Sequence, residues 1–215
     1  MMIDFGYLFN KYNIQANGVL HLGASAGQEA ETYDSFGIKK VIWVEAILSV
    51  FVELVKNISK YPGHIPLHAC VSDVDGKEVI FHVSNNEAQS SSFLELGVHK
   101  EIHPTVHYIE DIPMVTDKVS TLLRKFGISL DGYDFLNIDL QGAELLALKG
   151  MGDLLYGFKY CYLEVNKKST YVGCPLIEDL DAYLSFYGFE RVETGTWVAD
   201  CWTDALFIRK DLINE

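Results

Sequence analysis

The residues able to do chemistry stand where short apolar runs end. Gly23-Ala24-Ser25-Ala26-Gly27 follows the apolar run Gly18–Leu22 and precedes a helical stretch. Small residues let a backbone turn tightly and approach a ligand closely, and the helix start beyond them offers free N–H groups. On its own the GxxxG spacing serves equally well as a plain strand–helix turn. Glu45 ends the next run, Val41–Val44, and is followed by Ala46. It trails Gly27 at close to the roughly 20-residue lag at which an acid accepts hydrogen bonds from the ribose hydroxyls of a nucleoside cofactor. The bland alternative is an acid at a helix N-terminus, stabilised by the macrodipole; the glycine turn upstream favours the ribose reading. Ser72 and Asp73 close the run Pro66–Val71 and either bond an adenine edge or form an Asx turn with Asp75-Gly76. Asp139 ends Phe135–Ile138 and is expected to point into a crevice, with Gly142 relaxing the turn and Glu144 entering the next helix. Glu164 and Asn166 end Tyr160–Val165 and share one strand face by the period of two.

Groups so placed need a sheet to bring them together. Strand-like runs alternate with helical stretches at about Gln28–Phe36, Ile47–Ile58, Val119–Phe126, Ala143–Lys149 and Glu178–Tyr187. Such alternation means an α/β chain with a mostly parallel sheet and helices on both faces, whose ligands bind at the carboxyl ends of the strands. Val79–Val83, Phe189–Glu193 and Ala205–Ile208 read as further strands. Asn85–Ser92 reads as a polar loop, and Phe93–Pro113 as an ordered excursion with one short helix, so that 85–113 could cover the site. With no repeat or linker, the expectation is a single domain over 1–215, opened by a short helical segment at about 1–15.

The composition sets limits. The 215 residues are 49% hydrophobic and 22% charged, enough for a core without disulfides or metals. A net charge of -13 argues against nucleic-acid and anionic-membrane partners; Lys167-Lys168 is too short to make a basic groove. The four cysteines, Cys70, Cys161, Cys174 and Cys201, show no CxxC spacing. No leader pattern and no run of roughly 18 apolar residues is present, so a cytoplasmic setting is expected. The oligomeric state stays open, a homodimer included.

Taken together, VLHLGASAGQEA (Val19–Ala30), VIWVEA (Val41–Ala46), SSSFLELGVHKEIHP (Ser90–Pro104), FLNIDLQGAELLALKG (Phe135–Gly150), YLEVN (Tyr162–Asn166) and WTDALFIRK (Trp202–Lys210) resemble FkbM-type methyltransferases over nearly the whole chain. The resemblance implies a Rossmann-like class I methyltransferase fold with seven strands, the last antiparallel. It implies S-adenosylmethionine as cofactor and methyl transfer to a hydroxyl, often on a sugar or glycan. Gly23, Ala24, Ser25 and Gly27 would line the methionine portion, Glu45 would hold the ribose, with Ala46 beside it, and Ser72 and Asp73 would lie near the adenine. His21 departs from the acid common in the first strand of such enzymes and resembles an HxGA variant, which leaves the contact to the cofactor's amino group open.

Methyl transfer to an alcohol needs an oxygen placed in line and a base to take its proton. Asp139 is the first candidate base and Glu164 the second; a divalent metal bridging the two is a further expectation. Ser91, Ser92, His99 and His103 on the cover could reach the substrate, as could Asn166. Tyr171, Trp202 and Asp204 could form an acceptor wall suited to a small-molecule or glycan acceptor. A dinucleotide-dependent oxidoreductase would share the glycine turn and Glu45 but predicts GxGxxG, which is absent. A non-catalytic binding module would have no use for Glu45 and Asp139.

Overall fold

The computed structural model describes residues 3–213. Residues 1–2 of the expected N-terminal segment and residues 214–215 of the expected domain lie outside them. Helix α1 (Phe5–Lys11) starts at Asp4, whose carboxylate accepts the Tyr7 N–H at 2.7 Å as an N-cap. In chain order the strands are β1 (Gly18–Leu22), β2 (Lys40–Glu45), β3 (His64–His68), β4 (Cys70–Val71), β5 (Glu78–Ser84), β6 (Tyr108–Asp117), β7 (Phe135–Ile138), β8 (Tyr160–Asn166), β9 (Phe189–Thr194) and β10 (Trp202–Arg209). The remaining helices are α2 (Ala30–Ser35), α3 (Leu48–Ile58), α4 (His99–Ile102), α5 (Val119–Lys125), α6 (Glu144–Met151), α7 (Ile177–Phe186) and α8 (Lys210–Ile213).

The main sheet has seven strands in the order β3-β2-β1-β7-β8-β10-β9. Neighbours pair parallel except at β10, which runs antiparallel to both β8 and β9. This is the expected sheet, last strand antiparallel included. Chain order reverses between β1 and β7, so their carboxyl ends open a crevice. Alternation sorts the strand side chains onto two covered faces. Leu20, Leu22, Ile42, Leu136 and Ile138 pack with Leu122, Leu148 and Leu180 from α5, α6 and α7. Val19, Val41, Trp43 and Phe135 pack with Leu8, Tyr33 and Leu54 from α1, α2 and α3.

Three local readings are corrected. The run Pro66–Val71 is not one strand: Ala69 breaks it, β3 pairs with β2, and β4 leaves to pair with β6 in a separate three-stranded sheet, β4-β6-β5. Within Phe93–Pro113, α4 is the expected short helix, but the stretch also contains the start of the strand β6, which pairs antiparallel with β5. Much of β6 is exposed, so no apolar period marks it. Helix α6 does not stop at Gly150 but runs through it to Met151. A Cβ on Gly150 would meet the Ser72 carbonyl oxygen at 2.1 Å, so this glycine permits a close approach rather than ending the helix. The cover is clamped to the loop after β8: the Gly97 and Val98 N–H groups donate to the Thr170 and Ser169 carbonyls at 2.8 and 2.9 Å. All four cysteines are buried and free. Among the described residues no helix is long and apolar enough to cross a membrane.

Candidate active site

A cavity of about 530 Å³ opens at the carboxyl ends of β1, β2, β7 and β8, walled further by β10 and the cover. Its first wall is the glycine turn. Gly23 has φ +81°, and a Cβ there would lie 1.7 Å from the Asp139 carbonyl oxygen, so β1 and β7 meet over a bare backbone. The Gly23 and Ala24 N–H groups both donate to the Val44 carbonyl at 3.0 Å. Ser25, at φ +45°, donates its N–H to Glu45 Oε2 at 3.0 Å, and Ile47 donates to Oε1 at 2.7 Å. Glu45 thus ties the turn after β1 to the loop after β2 while facing the cavity. Burial pushes its carboxyl up to about 7 against the pull of those N–H bonds.

Ala46 lines the cavity beside Glu45, but Gly27, Ser72 and Asp73 do not. A Cβ on Gly27 would sit 2.7 Å from Leu54 Cδ1, so this glycine seats the turn against α3. The Ser72 N–H donates to the Asp117 carbonyl, and its hydroxyl to Asp73 at 3.2 Å. Because β4 turns toward the small sheet, Ala69, Cys70 and Val71 form the wall where Ser72 and Asp73 were expected.

The second wall is acidic. Asp139, Glu164 and Asp204 all line it. Gln141, at φ +50°, reaches back from the turn after β7. Its Nε2 donates to Asp139 Oδ1 at 2.6 Å and to Glu164 Oε2 at 3.3 Å, while its Oε1 accepts the Tyr171 hydroxyl at 2.6 Å. Glu144, fully buried, accepts the Leu140 and Gly142 N–H groups at 3.1 and 3.0 Å and so pins the same turn. Burial raises the Asp139 carboxyl above its ordinary range, opposed by the Gln141 bonds. Glu164 is raised further, first by burial and then by Asp139, Glu144 and Asp204 around it. Asp204 is pushed up to about 7 by burial and by Asp139.

As a metal pair, Asp139 and Glu164 do not fit: the Gln141 amide N–H₂ stands between them, where a bridging cation would have to sit. Among the described residues no group of three or more His, Cys, Asp or Glu is placed to hold a metal. Asn166 is buried behind the wall, with Oδ1 accepting the Thr170 hydroxyl.

From the cover, Ser91, His99 and His103 line the cavity; Ser92 does not, its hydroxyl oxygen accepting the Leu94 N–H. His99 is buried, contacts Ser90 Oγ through Nε2 at 3.2 Å and leaves Nδ1 unpartnered; burial lowers its pKa. Tyr171, Trp202 and Asp204 all line the cavity.

Gln141, Glu29, Asn137 and the state of His21 are not legible from the sequence. Asn137 Nδ2 donates to the Tyr33 hydroxyl at 2.7 Å, and that hydroxyl pairs with His21 Nδ1 at 3.3 Å. Burial holds the His21 imidazole neutral, down to about 3. Glu29 lines the same cavity and is pushed up to about 7 by burial and then by Asp139. The signal that could have found this row is register: His21 pairs with Asn137, and Asn137 with Tyr162, across neighbouring strands.

The chain matches the family model described as the methyltransferase FkbM domain over residues 21–191. No curated protein sequence matches it. Magnesium protoporphyrin IX methyltransferase from Synechocystis PCC 6803, solved with bound SAM, aligns with 95% of this chain and 76% of its own at 12% identity and TM-score 0.53. M. capricolum TrmK, in complex with S-adenosyl-homocysteine, aligns with 98% of this chain and 70% of its own at 8% identity and TM-score 0.52. A SAM dependent methyltransferase from Aquifex aeolicus aligns with 97% of this chain and 90% of its own at 12% identity and TM-score 0.50. The shared architecture is the Rossmann-like class I methyltransferase fold.

Proposed function

This chain belongs to the FkbM methyltransferase domain family, and from that premise we propose that it uses S-adenosylmethionine to methylate a hydroxyl of a sugar or glycan. The observation that carries the reading is the convergence of Gly23, Glu45 and Asp139 on one cavity at the carboxyl ends of adjacent strands. The bare backbone at Gly23 lets the turn after β1 close against the Asp139 carbonyl, and that turn lines the part of the cavity where the methionine portion would lie. Glu45 presents a carboxylate for two ribose hydroxyls, and the apolar surface of Ile47, Val50, Ala69 and Val71 suits a flat adenine.

The bound cofactor supplies a methyl already activated on a sulfonium. The protein must hold an acceptor oxygen in line with it and remove its proton. Asp139, ionised, would accept the acceptor hydroxyl's proton. Gln141 is a positioning residue: it aims Asp139 and keeps Glu164 and Tyr171 in register with it. Tyr171 and Trp202 offer faces for a sugar ring. The oxidoreductase and binding-module alternatives have no comparable support.

The test is incubation with methyl-deuterated S-adenosylmethionine and a panel of sugars and glycans, read by mass spectrometry. The reading predicts one labelled methyl on oxygen and an equal amount of S-adenosylhomocysteine. Label found only on nitrogen or carbon, or none with any hydroxyl acceptor, would overturn it. In the same assay Gln141→Leu is expected to lower kcat about 10- to 100-fold, the worth of a hydrogen bond to a buried charge. S-adenosylhomocysteine affinity should change only a few-fold. A Gln141→Leu enzyme that is impaired only in cofactor affinity would contradict the positioning role.

A further inference from the structure

Charge on the cavity wall is one-sided: Glu29, Glu45, Asp139, Glu164 and Asp204 line it, and among the described residues no Lys or Arg does. Glu45 is engaged at the glycine turn, and Asp139 lies beside that turn. Both therefore belong to the donor side. Asp204 does not. It sits on β10, two strands beyond β7 in the sheet, a lateral separation of about 10 Å from two strand spacings.

Asp204 is 7% exposed. Its Oδ2 is buried with no hydrogen-bond partner among the described residues. Antiparallel register sets it directly opposite Glu164, itself 5% exposed. Among the described residues the Glu164 oxygens receive two amide contacts, at 3.3 and 3.4 Å. Like charges placed directly opposite each other destabilise a sheet, and a buried carboxylate oxygen without a partner costs free energy. Trp202, two residues along the strand from Asp204 and so on the same face, holds its indole N–H buried and unpartnered. An unpartnered acidic oxygen, a second acid with weak contacts and one unsatisfied donor therefore meet at the end of the cavity away from the glycine turn.

Resting on the methyl-transfer reading above, the geometry points to an acceptor that carries an ammonium group, held between Asp204 and Glu164, with a neighbouring oxygen on the Trp202 indole N–H. An amino sugar, or an amine-bearing polyol of similar size, has both groups on adjacent carbons. The ammonium supplies the donors that Asp204 and Glu164 lack and relieves their repulsion. Phosphorylated sugars and nucleic-acid backbones find no Lys or Arg on this wall among the described residues. The hydroxyl that is methylated is then one carried toward Asp139 by the anchored amine.

Calorimetry on the protein saturated with S-adenosylhomocysteine tests this. The probes are four glycosides: methyl glucosaminide, its N-acetylated form, methyl glucoside and methyl glucoside 6-phosphate. The aminoglycoside is expected to bind tighter than the neutral and N-acetylated forms by roughly tenfold or more, the value of a hydrogen bond to a charged group. The phosphate should not bind. Asp204→Asn should erase the preference while S-adenosylhomocysteine affinity stays unchanged, and Glu164→Gln should reduce the preference from the opposite strand. Equal binding of the neutral or N-acetylated glycoside, binding of the phosphate, no binding by the amine, or a preference that survives Asp204→Asn would overturn the inference and leave the methyl-transfer reading intact. If S-adenosylhomocysteine itself does not bind, the methyl-transfer reading falls, and this inference with it.

Discussion

Asp139→Asn is expected to lower kcat by about 10²- to 10⁴-fold, the usual worth of a positioned general base, and to leave S-adenosylhomocysteine affinity within a few-fold. The substitution keeps the shape of the side chain and removes only its ability to accept a proton. Asp139 is the carboxylate at the crevice between β1 and β7, and its neighbours are arranged to tune it. Burial raises its pKa, which makes it a stronger base, while the Gln141 amide bond at 2.6 Å favours its ionised form. Below its pKa the base carries a proton and cannot act, so the wild-type rate should rise with pH until the carboxyl is ionised. That rising limb should be missing from the residual activity of Asp139→Asn. Rates measured across pH 5 to 9, with cofactor affinity measured in parallel, decide the matter. Near-normal turnover in Asp139→Asn would transfer the base role to Glu164 or to solvent.

Gly23→Ala is expected to cost the fold several kcal/mol, in the range reserved for backbone conflict, and to abolish measurable S-adenosylhomocysteine binding. Two penalties combine. The backbone at φ +81° costs an L-residue about 1–2 kcal/mol. The added Cβ would also lie 1.7 Å from the Asp139 carbonyl oxygen, which is backbone and cannot swing away. Relief requires the ends of β1 and β7 to part, and those ends line the cavity proposed to hold the cofactor. Gly37→Ala is the control: Gly37 has φ +79°, but a Cβ there would meet nothing within 4 Å, so only the conformational cost applies. Denaturant melts should separate the two variants by several kcal/mol. If Gly23→Ala melts alongside Gly37→Ala, the close approach of β1 and β7 is wrong.

Buried strands were the most legible part of the sequence. Val41–Val44 is a continuous apolar run, and Phe135–Ile138 is one interrupted only by Asn137, because helices cover both faces of the parallel sheet. The same physics hid β6, which is largely exposed in the small antiparallel sheet and mixes Glu110 and Asp111 with Ile112 and Val115. Glycines were legible as turns but not by purpose. Gly23 admits a close backbone approach, Gly27 packs on α3 and Gly150 passes under Ser72 in the last turn of α6. Spacing cannot distinguish those uses, because each depends on an atom from a distant segment.

Of the candidate site, the residues that end parallel strands were placed by chain order alone. Strand ends gather on one edge of such a sheet, so Gly23, Glu45, Asp139 and Glu164 had to approach one another. The sequence by itself therefore determined the architecture, the family and the acids at the strand ends, Glu45, Asp139 and Glu164. The tertiary structure alone decided that Ser72 and Asp73 turn away with β4, that Gln141 joins Asp139 to Glu164 and Tyr171, and that Asp204 faces Glu164 with an unpaired oxygen. Periodicity reports which face a residue occupies. Side-chain reach and hydrogen-bond partnership between residues far apart in the chain arise only when strands adopt one register and loops one path.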